Sequence, residues 1–188
     1  MFFVTIKNPE ASTIHVPKDY PSIQTALDNA QKSDMIKVAA GLYKENIIWP
    51  ETAGISLIGR QKDTIIDGEN LSHVIKINIK SANLIDNKTL VSGFQIQNGK
   101  APNNCPYGGG IYVKNASPVF QHLIVMNNQA DRGGGIFCQT SQLTLDHSIL
   151  SKNFAINAGA IYCQDARPSI SHNMITAHCD NTGEETLN

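Results

Sequence analysis

Apolar and polar positions alternate in short runs along most of the chain. Residues 35–38, 45–49, 55–59, 64–67, 74–79 and 90–97 read as strands, because most alternate or are β-branched and are bounded by Gly, Pro, Asn or Asp. One segment departs from this pattern. Within residues 21–31, Ile23, Ala26, Leu27 and Ala30 fall at helical spacing behind Pro21, a residue suited to a first helical turn. A lone amphipathic helix ahead of short strands predicts a cap over a strand edge that would otherwise be open.

The second half carries a repeat of 25 residues. Gly108-Gly109-Gly110-Ile111-Tyr112-Val113 returns as Gly133-Gly134-Gly135-Ile136-Phe137-Cys138 and again as Ala158-Gly159-Ala160-Ile161-Tyr162-Cys163. Phe120, Leu145 and Ile170 share one repeat position, and Val125, Leu150 and Ile175 share another. Helical repeats would need apolar residues at i, i+3, i+4 and i+7 and would not open on glycine triplets. Each unit instead holds short alternating strands that cannot bury an apolar face alone, whereas stacking units at roughly 4.8 Å buries it continuously. The pattern therefore predicts an all-β, single-stranded parallel β-helix of seven or eight coils. Residues 1–188 form one domain: a strand and capping helix over 13–34, irregular coils over 35–107, three repeats over 108–183 and a tail over 184–188.

Stacking turns repeat positions into surface columns. Tyr112, Phe137 and Tyr162, extended by Lys76, alternate away from the inward Ile111 file, so they are expected on a wet face beside Lys114, Gln139 and Gln164. Aromatic faces flanked by amide and ammonium groups suit sugar rings, so these six repeat residues are the candidate ligand-binding set for an extended polysaccharide or cell-surface glycan. Mutual stacking of the rings is the structural alternative. His122, His147 and His172 form another column, read as an internal ladder of neutral imidazoles; ligands in a straight line do not converge on one metal ion, so no metal is expected. Asn128 and Asn153, followed by His178, are read as a second ladder serving turn backbone groups.

Composition narrows the function classes. The chain has 15 basic and 16 acidic residues, a formal charge of −1, and no clustered Lys and Arg to draw nucleic acid or anionic lipid. No apolar run reaches the roughly 20 residues that span a bilayer, and the opening Met1-Phe2-Phe3-Val4-Thr5-Ile6 is too short for a signal core. The four cysteines lack C-x-x-C spacing; Cys138 and Cys163 fall on the inward column of Val113, as neighbouring buried thiols that a bridge could join.

Several segments resemble the right-handed parallel β-helix proteins of the pectin-lyase-like class. Tyr20-Pro21-Ser22-Ile23-Gln24-x-Ala26-Leu27, Gly41-x-Tyr43-x-Glu45-Asn46-Ile47, Ile55-x-Leu57-Ile58-Gly59 and Thr64-Ile65-Ile66-Asp67-Gly68 look like the opening coils of pectin methylesterases. Leu150-x-x-Asn153 and Gly159-Ala160-Ile161 are similar to repeats of polymorphic outer-membrane passenger domains. The resemblance implies a right-handed coil and an extracellular or cell-surface, polysaccharide-associated binding module. Pectin methylesterases use a Gln, two Asp and an Arg in later coils, and no segment here resembles those motifs, so no catalytic residue is carried over. A lyase would need calcium and acidic ligands near an Arg; Asp165 and Arg167 are the nearest grouping, without a matching acidic cluster. No cofactor is therefore expected otherwise. The alternatives are an adhesive passenger, self-associating through an uncapped C-terminal end, and a lyase or esterase with an unrecognised site.

Overall fold

The structure, a computed structural model, describes residues 10–80 and 84–176 together with the strand residues 178, 179, 185 and 186. In chain order the elements are β1 (Thr13–Val16), α1 (Ile23–Asn29), β2 (Met35–Val38), β3 (Gly41–Lys44), β4 (Ile47–Ile48), β5 (Ser56–Asp67), β6 (Ile75–Asn78) and β7 (Leu90–Gln97). The repeats follow with β8 (Ile111–Lys114), β9 (Val119–Gln121), β10 (Ile124–Met126), β11 (Gln129–Arg132), β12 (Ile136–Gln139), β13 (Thr144–Asp146), β14 (Ile149–Ser151), β15 (Phe154–Asn157), β16 (Ile161–Gln164), β17 (Ser169–Ser171) and β18 (Met174–Thr176). Two short strands close the described chain, β19 (His178–Cys179) and β20 (Glu185–Thr186), paired antiparallel.

These strands wind into a parallel β-helix of about six turns, fewer than the seven or eight the 25-residue step predicts. The step overcounts because the coils that begin at Ser56 and Leu90 carry longer connections, and the first residues form only β1 and its cap. Three long faces stack in parallel register, with a shorter parallel ladder of β11, β15 and β19 between the second and the third. The first holds β1, β2, residues 56–58, residues 90–92, β9, β13 and β17. The second holds β3, residues 64–67, residues 95–97, β10, β14 and β18, and the third holds β4, β6, β8, β12 and β16.

Each face sends residue files inward, the third face two of them, with Ile77, Val113 and Cys138 forming the second. Ile36, Leu57, Val91, Phe120 and Leu145 pile on the first face, and Ile47, Ile75, Ile111 and Ile136 on the third, all of them fully buried. Ile161 continues the third file in register. The last coil is less covered: Ile170 belongs to the first inward file yet is 43% exposed. Among the described residues β16 is the end strand of its face. The glycine triplets exist because coils touch through backbone there; a Cβ at Gly134 would collide with the Phe154 carbonyl oxygen.

The helix caps the opposite end as its spacing predicts. Ser22 and Thr25 form a capping box, and Glu45 accepts from the Ile23 and Gln24 amides at 2.9 and 2.8 Å. Ile23, Ala26 and Leu27 are buried beneath it, while the Gln24 side-chain amide pairs with both backbone groups of Ile48. The cap thus satisfies a strand edge as well as an apolar one. Most of the 184–188 tail lies outside the described residues.

Candidate functional site

Single left-handed residues turn the corners of the coil. Asn115, Thr140 and Asp165 do so between the third and first faces, with φ of 54°, 49° and 49°. Their loops stack through Ser141, which donates from Oγ to the Ala116 carbonyl at 2.6 Å and accepts from the Leu143 amide at 3.1 Å. The Gln142 amide donates to Ser117 Oγ at 3.0 Å, and the Arg167 amide to the Ser141 carbonyl at 2.9 Å. The result is an open cleft of about 790 Å³ along this corner, walled by Asp86, Asn87, Ser117, Gln142, Asp165 and Arg167. Asp86 lines the same cleft as Asp165 and Arg167 but three coil steps away, at its other end. It comes from the irregular connection before β7, outside the repeat, so no periodicity points to it. Lys114, Gln139 and Gln164 lie in one half-buried register file immediately before this corner, along its third-face border.

The aromatic column stands differently from its expectation. Tyr112 and Phe137 are 6% and 1% exposed, so they offer no open platform. They stack in register, with ring centroids 5.4 Å apart, and Tyr162 follows Phe137 at 5.9 Å. The connection between β7 and β8 lays Tyr107 over Phe137 at 4.9 Å, His73 lies 5.2 Å from Tyr112, and the Arg132 guanidinium covers both Tyr107 and Tyr162. Lys76 reaches over Tyr112. The rings form a second small core on the outside of the third face. Burial, followed by the nearby Cys105, pushes the Tyr112 hydroxyl up to about 12.

The histidine column is also reversed. His122, His147 and His172 are exposed, at φ of 52°, 47° and 53°, where they turn the chain from the first face to the second. Histidine tolerates that backbone region better than most residues, which accounts for the column without any buried role. The rings stack outside the coil, 5.5 Å apart and then 4.8 Å apart. Asp146 accepts from His147 Nδ1 at 2.7 Å and from His172 Nδ1 at 2.9 Å, because a carboxylate leaves each ring nitrogen only the donor role. Those bonds, His172 first, hold the Asp146 carboxyl well below the ordinary carboxylate range. Two members of the column therefore do converge on a neighbour, which a straight file of imidazoles alone cannot do.

Asn128 and Asn153 lie buried one above the other at the second corner. Asn128 Nδ2 donates to Asn153 Oδ1 at 3.0 Å and to the Ile96 carbonyl at 3.1 Å, while Asn153 Nδ2 donates to the Val125 carbonyl at 2.9 Å. His178, also buried, follows. Cys138 and Cys163 are free thiols with Sγ atoms 3.3 Å apart. Their shared hydrogen bond raises Cys138 and lowers Cys163 to about 7. Cys163 is exposed rather than buried, since it sits in the less covered last coil.

No family model matches the chain, and no curated protein does. Among solved structures it is similar to a pectin methylesterase in complex with a hexasaccharide, at 12% identity and TM-score 0.52, over 88% of this chain and 67% of that one. It is also similar to a mutant pectin methylesterase in complex with a hexasaccharide, at 10% identity and TM-score 0.48, over 79% of this chain and 57% of that one. At such identities the likeness shows the fold alone, the right-handed parallel β-helix.

Proposed function

We propose that the chain is a polysaccharide-associated binding module whose ligand lies in the corner cleft rather than on the aromatic column. The observation that carries this reading is the cleft wall: hydroxyl, amide, carboxylate and guanidinium groups contributed by successive coils. Three coil steps of roughly 4.8 Å, from Asp86 to Arg167, make such a wall about 14 Å long, enough for a short run of sugar rings. Asp86 and Asp165 against the single Arg167 leave an acidic excess, so the preferred glycan is one rich in hydroxyls and free of carboxylates. The likeness in fold to a protein solved with a hexasaccharide agrees with a carbohydrate ligand.

Affinity electrophoresis in gels containing neutral glucans, mannans, methyl-esterified pectin or polygalacturonate tests this directly. At least one uncharged polymer is expected to retard the protein, and Gln142→Ala with Arg167→Ala to abolish the retardation. Retardation by none of them, or retardation that the double variant retains, would remove the proposal.

A second reading, lyase or esterase action on a methyl-esterified glycan, draws on Asp165 and Arg167, which line one cleft. It requires product release from one of these polymers, with or without calcium, that Asp165→Asn eliminates.

A further inference from the structure

We propose that Asp146, His147 and His172 form a binding site for one divalent first-row transition ion of the zinc type, joining two neighbouring coils. The sequence separates these residues across a repeat; the fold brings one donor atom of each within 4.8 Å of the other two. Asp146 and His147 belong to one coil and His172 to the next, and the ladder that pairs Asp146 with Ser171 fixes their spacing. The two carboxylate oxygens already address different rings, Oδ2 toward His147 at 2.7 Å and Oδ1 toward His172 at 2.9 Å.

An ion with bonds of about 2.0–2.2 Å holds neighbouring ligand atoms about 3.0–3.5 Å apart, so these nitrogen to oxygen distances need little adjustment. The ring-to-ring separation of 4.8 Å must close somewhat. The side chains can move, because His147 and His172 are 53% and 69% exposed at the side chain. That exposure also leaves an open side where water completes the coordination. On binding, each imidazole loses its Nδ1 proton to solvent and takes one back at Nε2, so both rings stay neutral and their Nδ1 lone pairs face the ion.

The third histidine defines the limits of the site. His122 stacks on His147, yet its own coil carries Gln121 where the next carries Asp146 and the last carries Ser171. Only the middle coil supplies a carboxylate, so one ion per chain is expected. Two nitrogen donors and a single carboxylate suit zinc, nickel, copper or cobalt, and do not suit calcium or magnesium, which take oxygen ligands.

The test uses the full chain, freed of metal by chelator and dialysed, titrated calorimetrically with zinc chloride. Saturable binding of one ion is expected, with a dissociation constant on the order of 10 μM for so open a three-ligand site. Asparagine keeps the left-handed corner while removing the imidazole, so His147→Asn and His172→Asn should each weaken binding by about 30-fold, and His122→Asn by less than about threefold. Calcium chloride in hundredfold excess should not compete, and zinc should raise the melting temperature of wild type but not of His172→Asn. No saturable binding up to about 1 mM, or binding unchanged in the His147→Asn, His172→Asn double variant, would overturn the proposal.

Discussion

The aromatic and histidine columns climb the same three coils at the same 25-residue step, and they end in opposite environments. Phe137, at the centre of one, is 1% exposed beneath Tyr107 and between two further rings. His147, at the centre of the other, keeps a side chain that is 53% exposed and touches Asp146 at the rim. Both are stacks held by the strand ladder. What separates them is a neighbouring column: Tyr107 and Arg132, paired one repeat step apart just ahead of the third face, fold over the rings, while nothing among the described residues covers the first-to-second corner. Register thus decides which side chains meet, and the side chains of the adjoining column decide which of those meetings are dry.

The largest effect that could break this comparison is a cavity in the aromatic column. Phe137→Ala removes a fully buried ring and should cost about 3–5 kcal/mol, read from urea unfolding. A loss below about 1 kcal/mol would mean that the rings are not packed under the connection. The asparagine ladder comes next. Asn153→Ala strands the Val125 carbonyl and the Asn128 donors, and should cost about 2–3 kcal/mol by the same measurement.

The third effect is a pH dependence, and it separates buried from exposed imidazoles. Burial lowers His73, with Lys76 adding to it and the Gly108 carbonyl opposing; burial likewise lowers His178. A folded pKa below the unfolded value means that the stability is complete above about 6.5 and is lost as the pH falls through that range. Urea midpoints at pH 7.5 and 5.0 should therefore differ in wild type, differ less in His73→Gln, and still differ in His147→Asn, which leaves both buried rings in place. If His147→Asn alone removed the difference, the histidine column would have to be internal. The smallest effect is that of His122→Asn without added metal, which should stay within about 0.5 kcal/mol of wild type.

Much of the architecture is legible in the sequence because a solenoid writes its register as a period. The glycine triplets mark where backbones touch, and the files of Ile111 and Phe120 follow from the 25-residue step. The capping helix is legible from Ile23, Ala26 and Leu27 alone. The coil count is overestimated, since the step does not hold through the longer connections of the first half. Column environment is not legible for a different reason. Alternation assigns Tyr112 to the outer side of its strand, and it is on that side, but it does not show that Tyr107 and Arg132, one repeat step apart on a neighbouring column, and His73 from an irregular coil fold over that side. The histidines carried a signal that could have placed them. Each holds the same place relative to its strand that Asn115, Thr140 and Asp165 hold at another corner, all at positive φ. The cleft needed Asp86 from an irregular connection, and no repeat position could announce it.

One 25-residue step produces a dry aromatic column and a wet histidine column. Solvent paramagnetic relaxation in the NMR spectrum, with a soluble gadolinium chelate, reads both at once. Strong enhancement is expected at the imidazole protons of His122, His147 and His172, with little at the ring protons of Tyr112, Phe137 and His73. Comparable enhancement of the two columns, or protection of the three histidines, would contradict that contrast.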